Sequence, residues 1–102
     1  MKDDHPAIEE LRASIQLACQ PQNAHRIVAG RQQVLAMPRA WVIQSIEEVA
    51  TSCLNFKDYW EYRRLLELAS QLDADLVQRL VQLGQASDDE DVREAAQDFK
   101  IR

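Results

Sequence analysis

Residues 76–99, LVQRLVQLGQASDDEDVREAAQDF, constrain the fold more than any other stretch, because two apolar stripes of helical period meet there across a polar turn. At about 100° per residue, Leu76, Val77, Leu80, Leu83 and, at the edge, Val81 share one side of a helix, with Gln78, Arg79 and Gln82 opposite. Such a stripe has to be buried against another element. Ser87 stands three residues before Glu90, the spacing at which a hydroxyl and a carboxylate cap a helix start reciprocally. Asp88, Asp89 and Asp91 add negative charge where the helix end is positive. The second helix offers a narrow line of Val92, Ala95, Ala96 and Phe99, in which the two alanines admit a neighbouring backbone. Gly84, inside the first stripe, either permits a close approach or ends that helix.

In its leucine/valine helix, its acidic turn and the following Val92, Arg93, Ala95 and Ala96, this segment resembles one HEAT-type repeat. It departs from the pattern at Ser87, where such repeats often carry an aspartate. The resemblance implies a scaffold that stacks helix pairs and binds partners through a groove or a face, and it does not name the partner.

The whole chain of 102 residues has room for one domain, 1–102, with a modest core. Its 46% apolar and 28% charged residues are those of a globular chain. Two glycines and three prolines leave little turn material, and strand-like alternation is absent. The expected fold is therefore all-α: five or six helices, as stacked antiparallel helical hairpins (HEAT-like) or a compact helical bundle. Helix pairs starting near residues 6, 38 and 74 suit three hairpins, and the tryptophan-leucine-glycine pattern of a tetratricopeptide repeat is missing.

Asp4 or His5 can cap a first helix that starts near Pro6 and buries Ile8, Leu11, Ile15 and Ala18 or Cys19. After a turn at 21–23, Asn23 caps a second helix over about 24–36. There Ala24, Ile27, Val28, Val34 and Leu35 share a face from whose middle Arg31 projects. Two readings of Arg31 stand: a helix phase disturbed by Gly30 or an internal pairing with a carboxylate such as Glu47, or else an anchor for an anionic partner. Pro38 suits the first turn of a third helix ending near residue 54. Its buried line is Val42, Ile46, Val49, Ala50 and Cys53, with Trp41 about 120° from the centre of that line. Asn55 then caps the fourth helix with Asp58 completing the box, and Leu54 closes on Tyr59 as a staple.

The fourth helix is apolar on two sides in its first turns. Tyr59, Tyr62, Leu65, Leu66, Ala69 and Leu72 face the core, while Phe56 and Trp60 lie on the other side among Arg63, Arg64 and Glu67. Either this helix is packed on both faces, or Trp60 is exposed and flanked by arginines, a composition enriched at binding hot spots. Asp73 caps the next helix, with Leu72 and Val77 as a second staple.

Charge is divided along the chain. The net charge is −5, yet residues 11–46 hold Arg12, Arg26, Arg31 and Arg39 and no acid, while residues 47–102 hold thirteen acids against seven bases. Acidity overall argues against general nucleic-acid binding. No apolar run reaches the length of about 18 residues that a membrane span needs, nor is there a charged-then-apolar leader, so the expected location is cytoplasmic. Cys19 and Cys53, outside any C-x-x-C pair, read as two reduced core thiols.

No motif for catalysis emerges. His5 and His25 are isolated, and neither shares an inner helical face with a carboxylate at metal-ligand spacing. The acids at 88–91 lack the central glycine and terminal bidentate acid of a calcium loop. Phosphate-binding glycine loops, a G-x-S-x-G elbow and the alanine-to-glycine spacing of a helix-turn-helix are absent. The reading that results has no catalytic, metal or cofactor site. It is a non-enzymatic protein–protein interaction module, holding a protein through Trp60, Arg63 and Arg64 or through the side bearing Arg26, Arg31 and Arg39. The alternative is a small acidic immunity- or antitoxin-like protein that covers a basic partner with its C-terminal carboxylates. An unpaired apolar end could also be capped by a second copy in a homodimer.

Overall fold

The computed structural model describes residues 8–100, and among these six α-helices form: α1 (Ile8–Ala18), α2 (Ala24–Ala36), α3 (Arg39–Cys53), α4 (Tyr59–Ser70), α5 (Ala74–Gln85) and α6 (Glu90–Phe99). The expected Asp4 or His5 cap and the Pro6 start lie outside the described residues. Buried side chains from all six helices join into one core, from Leu11 on α1 to Ala96 on α6. The radius of gyration, 13.1 Å, matches the ~13 Å of a compact domain of this length. The fold is an all-α helical bundle.

Helix α4 is the centre of the bundle. Tyr62, Leu65, Leu66, Leu68 and Ala69 are buried on it, and it approaches α1, α5 and α6. The hairpins α1–α2 and α5–α6 form as the spacing predicts. The middle pair does not close into a third: α3 packs mainly on α1, while α4 packs on α5 and α6. Arg39 at the start of α3 donates to the Gln71 carbonyl at 3.3 Å, and Glu47 pairs with Arg79 of α5 at 2.7 Å. That placement corrects two expectations. Glu47 serves α5 rather than Arg31. Trp41, off the centre of its own stripe, is buried, only 8% exposed.

Two glycines set interhelical distances. A Cβ on Gly30 would stand 2.7 Å from the Ser14 carbonyl oxygen and 2.8 Å from Leu17 Cβ, so only glycine lets α2 lie this close to α1. Gly84 is inside α5 and does not end it. A Cβ there would meet the ring of Tyr62, at 2.8 Å from Cε2. The ring can thus lie against α5, where the Tyr62 hydroxyl donates to the Leu80 carbonyl at 2.7 Å. Burial pushes that phenol up to about 12, against a smaller opposing effect from the backbone of Gly84.

Helix starts follow local chemistry, with two shifts. Asn23 takes the left-handed conformation, φ 89°, and accepts from the Arg26 N–H, a backbone region asparagine tolerates better than most residues. Asp73 caps α5 through the Leu76 N–H. At α4 the cap is Asp58 rather than Asn55; it accepts from the Glu61 N–H, and Glu61 in turn accepts from the Asn55 N–H. At α6 the cap is Asp89 rather than Ser87, whose hydroxyl accepts from the Asp89 N–H and so holds the turn before it. Aspartate and asparagine or serine are near-equal caps, so sequence spacing alone does not separate neighbouring candidates.

Apolar stripes are covered unevenly. Ile8 on α1, Val28 and Leu35 on α2 and Leu83 on α5, all expected inside, are exposed. Tyr59 is half-buried, and Leu68, on the same side as Trp60 two turns later, is fully buried. Among the described residues no helix is long and apolar enough to cross a membrane.

Candidate functional site

The arginines of α4 are structural ties as well as surface charges. Glu67 accepts from Arg31 of α2, from Arg64 Nη1 at 3.0 Å, and lies 3.7 Å from Arg63 Nε. Arg64 also donates through Nε to the Gln20 carbonyl at 3.3 Å and through Nη2 to the Pro21 carbonyl at 3.1 Å. It therefore fastens the α1–α2 turn to α4. Arg63 reaches α6, donating to Asp98 at 3.0 Å, with its guanidinium carbon 5.3 Å from the centre of the Phe99 ring. Burial works against its charge, but Asp98, Tyr59 and Glu67 outweigh that and hold its pKa above the ordinary value. Arg31 keeps one buried donor, Nε, without a partner, so its single bond to Glu67 leaves part of its desolvation uncompensated.

The other arginines do not gather into one surface. Arg26 is exposed and its guanidinium makes no hydrogen bond, Arg31 is turned inward to Glu67, and Arg39 is bound to the Gln71 carbonyl. The N-terminal basic segment spends most of its charge on the fold.

Trp60 behaves differently. It is 46% exposed, with Arg64 over its ring at 4.9 Å and Tyr59 edge-on at 5.0 Å and 81°. The two rings line a cleft of about 450 Å³ together with Asp58 at the start of α4 and with Asp91 and Glu94 of α6. Asp58 is engaged as the α4 cap. Asp91 and Glu94, one turn apart on α6, make no hydrogen bond or ion pair. Beside this cleft lies an apolar hollow of about 270 Å³, lined by Phe56, Tyr62, Leu83 and Gly84 with Lys57 and Asp88 at its margin. Neighbouring residues of the same two loops, Lys57 with Asp58 and Asp88 with Asp91, border the two depressions.

Six of the thirteen acids beyond residue 46 make neither a hydrogen bond nor an ion pair: Glu48, Asp75, Asp88, Glu90, Asp91 and Glu94. Four of these stand just before or within the first turns of α6, and two of them, Asp91 and Glu94, line the cleft with Trp60. Sequence periodicity placed Tyr59 in the core and read Asp91 as helix-end charge, and it did not single out Glu94. The signal present was the spacing of Asp91 and Glu94, three residues apart and so on one side of α6, flanking the line of Val92, Ala95 and Ala96.

Elsewhere, Cys19 and Cys53 are free thiols that line a common depression beside Glu61. Burial pushes Cys19 up to about 12, so it stays a protonated, unreactive thiol at neutral pH. Among the described residues no three His, Cys, Asp or Glu side chains converge on a point where a metal ion could be held. His25 is exposed on α2. Comparison with family models, with curated proteins and with solved structures finds no match to this chain.

Proposed function

We propose that this protein is a non-enzymatic protein-binding module of the cytoplasm, a helical scaffold or adaptor whose contact face centres on Trp60. One observation carries the reading: a half-exposed tryptophan, fixed in place by Tyr59 and Arg64, at the edge of a cleft whose carboxylates serve no internal pair. Tryptophan left in water costs hydrophobic free energy, and aromatic anchors of this kind dominate interface energetics. Arg63 and Arg64 then act chiefly by holding Trp60 and α6 in position. The HEAT-type resemblance of residues 76–99 supports the same reading, since that hairpin supplies one side of the face.

The test compares the full chain with Trp60→Ala. The expected result is a thermal melt nearly that of the parent together with loss of one specifically retained protein when tagged material is passed through source-cell lysate at moderate salt. A large fall in melting temperature would instead assign Trp60 to packing and remove it from the contact face.

The uncommitted acids at the start of α6 favour a second reading, an immunity- or antitoxin-like protein that neutralises a basic partner. Association would then be steered electrostatically and slow markedly as ionic strength rises. Rates equal at low and high salt would discard that version while leaving the first intact.

A further inference from the structure

We infer that the Trp60 cleft is a subsite for one arginine side chain of a partner protein, and that the adjoining Phe56–Leu83 hollow takes an apolar residue of the same segment. The inference rests on the interaction-module reading and specifies its ligand chemistry.

Three features of the cleft agree on a cation. The indole presents a flat π-face, and Tyr59 set edge-on beside it makes a corner rather than a single plate. An aromatic face attracts a cation, most strongly for tryptophan. In the same cleft Asp91 and Glu94 contribute two carboxylates one turn apart on α6, and Asp58 lines it while capping α4. Each ring already carries one of the molecule's own cations, Arg64 at 4.9 Å over Trp60 and Arg63 at 6.0 Å over Tyr59. Arg64 stacks on Trp60 but is tied to Glu67 and to the Gln20 and Pro21 carbonyls, and Arg63 is tied to Asp98 and Glu67. Neither lines the opening. Asp91 and Glu94 therefore remain in the cleft without a cation of their own, complementary to a positive group.

Arginine fits better than lysine. Its planar guanidinium stacks on a flat ring while its fork of N–H donors reaches two carboxylates, whereas an ammonium is a strongly hydrated point charge. The neighbouring hollow is bordered by the exposed Leu83 and by Phe56, so it suits an apolar side chain close in space to that arginine.

The experiment uses the full chain and a short acetylated, amidated peptide carrying one leucine and one arginine a helical turn apart. The readout is the pair of indole N–H resonances, since Trp41 is buried and Trp60 is not. The expected result is a saturable shift of the Trp60 signal with Trp41 unmoved. Replacing arginine by its neutral isostere citrulline, or using the protein variant Asp91→Asn with Glu94→Gln, should weaken binding by about tenfold, while the variant's melt stays that of the parent.

Absence of a saturable shift at millimolar peptide would overturn the inference, as would equal binding of the citrulline peptide, which would mark an apolar site. A Trp60 shift that grows with protein concentration alone would assign the cleft to a second copy of the chain. If the peptide fails yet Trp60→Ala still abolishes partner capture, the interaction module stands and only its arginine specificity is wrong. If the peptide binds while capture is indifferent to Trp60, the subsite stands and the module's contact face lies elsewhere.

Discussion

The hairpins α1–α2 and α5–α6 occupy equivalent places in the chain but are held by different physics. Helix α5 buries Leu76, Val77, Leu80, Val81 and Gly84, whereas the slightly longer α2 buries only Ile27, Gly30 and Val34. What α2 lacks in apolar area it replaces with closeness and polar ties. Gly30 lets it lie against the α1 backbone, Ser14 donates to Gln33 at 2.8 Å, and Arg31 reaches Glu67. Area burial is non-directional and tolerant of small changes. Hydrogen bonds and close backbone contact are directional and fail when one atom moves. The α2 end should therefore be the brittle part of the molecule and the α5–α6 end the robust part that carries a contact face.

Gly30→Ala should break that comparison most severely. The added carbon meets fixed backbone of α1, and a cost of about 3 kcal/mol is expected from overpacking of this kind, measured by urea unfolding. Gly84→Ala should cost less, because the atoms it meets belong to the Tyr62 side chain, which can give way toward the hollow. The reverse order would mean that Tyr62 is the more rigid constraint.

Glu67→Ala should come next. It removes the acceptor of three arginines, and about 2 kcal/mol is expected after allowing for the group's partial exposure. Hydrogen exchange should show the loss first in α2 amides, with α5 amides little changed. A uniform loss across both helices would contradict the division drawn here.

Alkaline pH acts on both regions through groups held protonated by burial. Cys19 is raised from 9.0 to about 12 and Tyr62 from 10.0 to about 12. For each, the folded state keeps a proton that the unfolded chain releases, so the stabilisation is complete below the unfolded pKa and is lost as pH rises toward the folded one. Stability should fall between pH 9 and 12 by up to about 1.4 kcal/mol per pH unit per group. Cys19→Ala should flatten the slope between pH 9 and 10, leaving the Tyr62 contribution above it. A parallel slope in the variant would assign the loss elsewhere.

Trp60→Ala sharpens the comparison by its smallness. Trp60 is half-exposed and its contacts with Tyr59 and Arg64 lie at the surface, so a loss of about 1 kcal/mol and a melt only slightly below that of the parent are expected. By contrast Trp41→Ala, removing a buried ring, should cost about 3 kcal/mol or more.

Local sequence determined the helices themselves. The period of residues 76–99 specified α5 and α6, Asn23 opened α2 at Ala24, and Asp73 opened α5, because caps and i, i+4 stripes depend on atoms within a turn or two of one another. The same reasoning correctly placed Leu11 and Ile15 inward and identified Trp60 as the residue whose environment mattered. Tertiary structure alone decided which stripes were covered. Leu83 and Val28 share helical faces with buried neighbours, yet no other element lies over them. Trp41 stands off the centre of its own stripe and is nonetheless buried in the common core. The pairing of Arg31 with Glu67 rather than Glu47, and the meeting of Trp60 and Tyr59 with Asp91 and Glu94, join residues about thirty or more positions apart. Periodicity fixes the direction a side chain points from its own helix axis, and only the packing of the other helices determines what it finds there.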